Sequence, residues 1–353
     1  YGAKVDFFSN GFKIITTDGV TNASGSTYLY MAFAGDPDTV VPTKAKSFNT
    51  VTWTGTGSNK SITGLGFRPD FLWIKGRNNT EHHYLYDTIR GSSQYMHSST
   101  SGAEAGDTTS RLASFDNDGF SLFTDGAVNG SGNTYVGWAW KMNDDEPEIM
   151  TDGSINSIVR VNANAGMSIV SYTGTGTAGT VAHGLNSAPE MIIVKNRSGV
   201  DHWRVYHTAM GPTKYRNLND SSAQATASTV WNDTAPTSTV FSIGTAGSVN
   251  TNGDRFIAYC FHSVTGFSKF GYWQGGTTTI NLGFQPDFVM HQDYGAGGSW
   301  SMIDSIRDDD VQLKAQASDA ESSQTLITFT STGFTATSES SVVYRLYMAF
   351  KIN

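Results

Sequence analysis

Two Asp-x-x-Arg pairs, Asp87/Arg90 and Asp304/Arg307, are the residues of this sequence best placed to do chemistry. A carboxylate three residues from a guanidinium can grip a substrate anion or orient a proton donor, or it can neutralise a buried charge. The second use fits the pattern better. A third site at the same spacing carries His207 and Met210 instead. Joint loss of both partners is what a charge pair requires, because either one left alone is costly. Asp87–Arg90 and Asp304–Arg307 are therefore expected to be structural ion pairs. His83, Trp203 and Trp300 stand four residues before these sites. Their rings could stack on the C–H faces of a sugar, which makes them candidate glycan contacts. However, Leu85, Val205 and Met302, two residues on, share that strand face and read as core.

Other chemistries find less support. His82, His83, His202 and His207 show no metal-binding spacing. Asp116-Asn117-Asp118-Gly119 resembles part of a calcium loop but lacks the preceding acid and the distal Glu, and reads as a turn. There is no nucleophile elbow, phosphate loop or dinucleotide fingerprint. Among 31 acidic residues nothing singles out the carboxylate pair of a glycosidase. The expectation is no catalytic residue, no metal and no cofactor. A net charge of −8 argues against a nucleic-acid partner. No apolar run approaches the roughly 18 residues of a spanning helix, so no membrane insertion is expected. The lone Cys260 excludes an intrachain disulfide.

The elements that position these residues come from an internal repeat. Gly66-Phe67-Arg68-Pro69-Asp70-Phe71 returns as Gly283-Phe284-Gln285-Pro286-Asp287-Phe288, with a weaker copy at Ala188-Pro189-Glu190-Met191. Eighteen residues past each proline come Asp87, His207 and Asp304, and seventeen further on Glu104, Gln224 and Glu321, each in a Ser-x-Ala-Glu/Gln stretch. Each copy opens on an aromatic and a Gly-rich turn and closes on an aromatic strand, such as Tyr135 to Trp140. The copies span 48–142, 166–263 and 267–353. Residues 1–36 match only the second half of a copy. The missing half is expected upstream of Tyr1 or from another subunit, and the end at Asn353 is expected to be genuine. The connections at Asp36 to Lys46 and Asn143 to Gly153 read as polar linkers.

Within a copy the signal is β. Leu occurs only 12 times and Gly 38 times, a poor composition for helix. Phe71-Leu72-Trp73-Ile74-Lys75 and Met191-Ile192-Ile193-Val194-Lys195 are short apolar runs behind a proline, which is tolerated at a strand start. The fold class is all-β, with tandem antiparallel, jelly-roll-like sandwiches. Short helices are expected only around Ala103 to Arg111 and Leu313 to Ser323. In the Gly-Phe-x-Pro-Asp-Phe motif the acid is expected to cap nearby N–H groups.

The repeat unit resembles tandem repeats of tail-fibre and related virion proteins of tailed bacteriophages, often aquatic. The resemblance is carried by Trp53-Thr54-Gly55-Thr56-Gly57, Pro69-Asp70-Phe71-Leu72-Trp73-Ile74-Lys75, Tyr86-Asp87-Thr88-Ile89-Arg90-Gly91 and Phe115-Asp116-Asn117-Asp118-Gly119-Phe120. The middle copy departs from the pattern at Asn186, His207 and Met210. The resemblance implies a virion-surface, extracellular protein that projects or binds the host surface, with no active site to carry over. It also implies a homo-oligomer, most simply a trimer, together with other virion proteins and a host-surface glycan as partners. The alternatives are a polysaccharide depolymerase, or a bacterial adhesin or carbohydrate-binding module.

Overall fold

Each motif proline ends a loop and launches a six-residue strand: Phe71–Gly76, Met191–Asn196 and Phe288–Asp293. All six residues of each are buried, as in a strand covered on both faces. In the computed structural model, which describes residues 5–8, 11–14, 23–26, 47–143, 145–337 and 344–352, these three strands organise everything else. Among the described residues strands make up 45% and helices 5%. The protein is all-β.

The chain divides into two units, 1–41 and 42–353. In the first, Val5–Phe8 pairs antiparallel with Gly11–Ile14. The expected strand at Tyr28 to Phe33 lies outside the described residues.

The second unit holds the three copies. In each, the post-proline strand pairs antiparallel with the closing strand: Thr134–Trp140, Arg255–Phe261 or Tyr344–Phe350. The closing strand then pairs with the opening strand: Phe48–Thr54, Met167–Thr173 or Ser268–Gln274. On the other side of the post-proline strand lies Tyr84–Asp87, Arg204–His207 or Ser301–Asp304. A smaller sheet packs across the outer face of this larger one. It is built from Lys60–Thr63, Leu112–Asp116 and Gly119–Leu122 in the first copy, and from their counterparts in the third. In the second copy Gly179–Ala182 pairs with Val240–Ile243. Each sandwich has its own core, around Leu72 and Phe120, Ile192 and Phe241, or Val289 and Phe334.

The inner faces of the three larger sheets meet one another. Phe71, Trp73 and Trp140 of the first copy, Ile193, Tyr259 and Phe261 of the second, and Phe288, Met348 and Phe350 of the third belong to one apolar cluster. The equivalent closing residues converge: ring centroids of Trp140 and Phe350 lie 5.8 Å apart, and those of Phe261 and Phe350 6.1 Å. The copies are thus three lobes around a shared core, related by an approximate threefold arrangement. Alternate residues of each strand face the lobe's own core and the common one.

The motif acid caps N–H groups beyond the closing strand. Asp70 accepts from the Met142 N–H at 2.8 Å, Asp287 from the Ile352 N–H at 2.6 Å, and Glu190 from the Ser263 N–H. Asp116-Asn117-Asp118-Gly119 is a hairpin turn whose Asp118 carboxylate accepts from the N–H groups of Gly64 and Gly66. Gly119 has φ of +153°, and a Cβ there would sit 1.9 Å from the Ile62 carbonyl oxygen.

Two expectations need correction. The stretches around Ala103 to Arg111 and Leu313 to Ser323 are not helical; they form short strands, bends and turns. Among the described residues the α-helices are four-residue segments elsewhere, Gly126–Asn129, Ser228–Trp231 and Gly247–Asn250, with a short 3-10 helix at Ala163–Ala165. Asn143 to Gly153 is also more than a linker. Its Glu148–Met150 strand pairs with Ser157–Asn162, which extends the second copy's larger sheet to eight strands.

Candidate functional site

The aromatic position four residues before the ion-pair site does not face solvent. His83, Trp203 and Trp300 are all 0% exposed, which removes them as glycan-stacking residues. Each instead hydrogen-bonds a carbonyl of another copy. Trp203 Nε1 donates to His97 O at 2.9 Å, Trp300 Nε1 to Asn217 O at 2.8 Å, and His83 Nε2 to Lys314 O at 3.0 Å. Trp73 Nε1 donates to His83 Nδ1 at 2.8 Å, so the proton of a neutral ring resides on Nε2. Burial pushes the His83 pKa well below its ordinary value and keeps it neutral. The contacts run in a cycle, the second copy onto the first, the third onto the second and the first onto the third.

The Ser-x-Ala-Glu/Gln stretch closes the same three junctions. The backbone N–H groups of Glu104, Gln224 and Glu321 donate to the carbonyls of Arg197, Tyr294 and Arg77, at 2.9, 3.1 and 2.6 Å. Two junctions add a bidentate ion pair, the fork geometry that suits guanidinium to carboxylate. Arg197 reaches both Glu104 oxygens at 2.9 Å, and Arg77 reaches those of Glu321 at 3.0 and 2.9 Å. Burial acts to raise the Glu321 carboxyl pKa, but the Arg77 hydrogen bond and the charges of Arg307 and Arg77 outweigh it and hold it below the usual range. At the third junction, Gln224 faces Tyr294 and the charge pair is absent.

The Asp-x-x-Arg sites belong to this network. Asp87 and Arg90 form an ion pair at 2.5 Å, and Asp304 and Arg307 one at 2.6 Å, with all four side chains 0% exposed. A hydrogen bond from the next lobe joins each pair. The Tyr259 hydroxyl donates to Asp87 at 2.8 Å, and Trp138 Nε1 donates to Asp304 at 2.9 Å. At the middle copy His207 accepts from the Ala209 N–H and donates to the Tyr347 carbonyl at 3.2 Å. There the residue in register with Tyr259 and Trp138 is Met348, and burial pushes the His207 pKa down to about 4. These groups hold lobes together; enclosed as they are, they cannot meet a substrate.

Two lysines are buried in the same layer. Lys75 Nζ donates to the carbonyls of Gly76 and Asn79, and Lys195 Nζ to those of Asn196 and Gly199. Burial lowers both pKa values to about 8. Gln292 replaces them in the third copy and donates to the Gly298 carbonyl.

The lobes differ most at one place on their outer faces. In the first copy, Tyr84, Tyr95 and His97 fill it, with the Arg111 guanidinium 5.2 and 4.9 Å from the two tyrosine rings. In the second, Arg204 covers Tyr215 at 4.5 Å and bonds Asn217 and Ser248. The third copy has Ser301, Gln312 and Lys314 at the positions of Tyr84, Tyr95 and His97. It leaves a cleft of about 450 Å³. Under it a row runs across the strands: Lys314 opposite Ser301, and Ser301 opposite His291. Asp293 lies opposite Arg345 one step along. His291 takes the place of Ile74 and Val194, and Arg345 that of Tyr135 and Phe256. His291 is 1% exposed, and neither ring nitrogen has a hydrogen-bond partner. Burial pushes its pKa down to about 3. The polar replacements were readable in the aligned copies, although no motif marks them.

Among the described residues no group of His, Cys, Asp and Glu could hold a metal ion, and no helix is long and apolar enough to cross a membrane. No curated protein and no solved structure matches this chain. A family model described as a domain of unknown function (DUF7483) matches residues 1–37 and 43–351, and with that coverage the chain belongs to this family.

Proposed function

We propose that the chain is a non-enzymatic structural component of a tailed-phage appendage, a tail fibre or its equivalent, that projects from the virion and binds the host surface. The observation that carries the reading is the closure of three repeats into one interlocked body, whose charged pairs are spent on junctions between lobes. Such a body suits a stiff, exposed part. A depolymerase needs two convergent carboxylates in a cleft; among the described residues the third-copy cleft has one, Asp293, beside a neutral His291. Partners in this reading are other virion proteins, further copies of the chain and a host-surface glycan.

The test is decoration of bacterial cells. Fluorescently labelled chain is expected to coat the surface of some strains in an aquatic panel and to block phage adsorption to them, without releasing sugar from their polysaccharide. Cleavage abolished by replacing one acid, or coating of no strain that such phages infect, would overturn the reading. Native mass measurement of the purified chain reads its self-association.

A further inference from the structure

We propose that the third-copy cleft is a binding site for a sugar-sized, polyhydroxylated ligand carrying one carboxylate, such as a uronic acid residue. Three observations converge. First, at about 450 Å³ the cleft falls within the roughly 300–1,000 Å³ of small-molecule sites. Unlike most such sites it is lined chiefly by polar groups, which suits hydroxyls rather than an apolar body.

Second, its floor carries hydrogen-bonding capacity that the protein leaves unused. A neutral imidazole offers one N–H donor and one acceptor lone pair, and a hydroxyl can engage either. In His291 both go unmet behind 1% exposure. A buried polar group without a partner destabilises the fold. The other two copies avoid that cost with Ile74 and Val194. His291, unlike the buried aromatics of the junctions, lines the cleft, so a ligand drawn into it removes that cost here.

Third, the charge is right for one anionic group. Among the described residues the lining holds Arg345, Lys314 and Asp293; Lys314 pairs with Asp319 at 3.8 Å, which leaves Arg345 as the cation open to a ligand on a chain of net −8. Asp293 Oδ1 is occupied by the N–H groups of Gly295 and Ala296. Arg345 makes no ion pair among the described residues, and its Nε has no partner. Burial lowers the Arg345 pKa, with Asp293 opposing. A ligand carboxylate would give this cation the contact it lacks.

The proposal deepens the host-attachment reading by giving it a ligand class, yet the two can fail separately. Binding to the purified chain tests the cleft, and coating of cells tests attachment. Titration by NMR or calorimetry uses free glucuronate and galacturonate, with glucose and acetate as controls. At least one acidic sugar is expected to bind about tenfold or more tighter than either control, with a Kd near or below about 1 mM. Arg345→Met is expected to erase the preference over glucose. His291→Val and Ser301→Tyr install residue types that other copies carry on this face, so the fold is expected to persist while binding is lost. Equal binding of all four probes, no binding of either acidic sugar, or binding unchanged in folded Ser301→Tyr would overturn the proposal.

Discussion

Replacing Asp87 by Asn should test the junction chemistry most directly. The substitution removes the anion that Arg90 contacts at 2.5 Å and weakens the acceptor that the Tyr259 hydroxyl uses at 2.8 Å. Arg90 keeps neutral partners, the Leu85 carbonyl at 2.9 Å, the Tyr259 hydroxyl at 3.2 Å and the Gln94 carbonyl at 3.4 Å, but its one remaining anion is Glu104, at 3.5 Å. Both side chains of the pair are 0% exposed, so the guanidinium is stranded away from water. Breaking a buried pair from one side costs about 3–5 kcal/mol. The second unit has roughly 310 residues, each contributing about 2.1 cal/mol/K to the unfolding entropy, so this corresponds to a Tm lower by about 5–8 °C.

The molecule already contains the control. At the junction of the second and third lobes, His207, Met210 and Met348 do without the charges. The triple change Asp87→His, Arg90→Met and Tyr259→Met copies that solution into the first junction. Replacing a buried ion pair by well-packed neutral groups is often neutral or stabilising. The triple variant should therefore stay within about 2 kcal/mol of the parent, at least about 3 kcal/mol less costly than the Asp87→Asn and Arg90→Met single changes added together. Calorimetry and urea unfolding measure all four proteins. A triple variant as unstable as the two singles combined, or an Asp87→Asn cost below about 1 kcal/mol, refutes the argument that charge pairing rather than shape holds this junction.

Further expectations concern protons, aromatic latches and lobe autonomy. His183 and His207 have pKa values lowered by burial to about 4, and His291 to about 3, below the roughly 6.5 of an unfolded chain. The unfolded state thus binds protons that the native state refuses. Their stabilisation is complete above pH about 6.5 and is lost as the pH falls towards 4, by up to about 1.4 kcal/mol per pH unit for each ring. Urea midpoints at pH 7 and pH 5 read this, and equal midpoints would contradict it. Trp203→Phe keeps most of the buried bulk but leaves the His97 carbonyl with only the long contact from the Thr100 N–H at 3.5 Å, a loss of about 1–3 kcal/mol. No change in glycan binding is expected, and a loss of it without unfolding would restore the stacking role. Residues 48–142 produced alone expose the inner face of Phe71, Trp73 and Trp140; sedimentation and circular dichroism should find them unfolded or self-associated, and a stable folded monomer would count against the shared core.

That shared core was present in the sequence, in a form that spacing alone could not decode. Repeat copies, strand starts and Asp-x-x-Arg pairs are local patterns, and they marked where the sandwiches and charged sites stand. A sandwich strand with one wet face should alternate polar and apolar residues. Phe71-Leu72-Trp73-Ile74 does not alternate: Leu72 and Ile74 serve the lobe's own core, Phe71 and Trp73 the common one. The unbroken run signals a second cover, but cannot say that another copy supplies it. The same blindness made His83, Trp203 and Trp300 look available to a sugar and made the Ala103 to Arg111 stretch look helical, when that stretch carries a junction contact at Glu104. What the alignment of copies does expose is correlated departure. Where Glu104 and Glu321 become Gln224, the facing Arg197 and Arg77 become Tyr294. Where Ile74 and Val194 become His291, Tyr135 and Phe256 become Arg345. In the first case a charge pair vanishes together and the junction persists, a structural signature. In the second, two apolar groups become polar on one face without pairing with each other, which structure alone does not require and a ligand would.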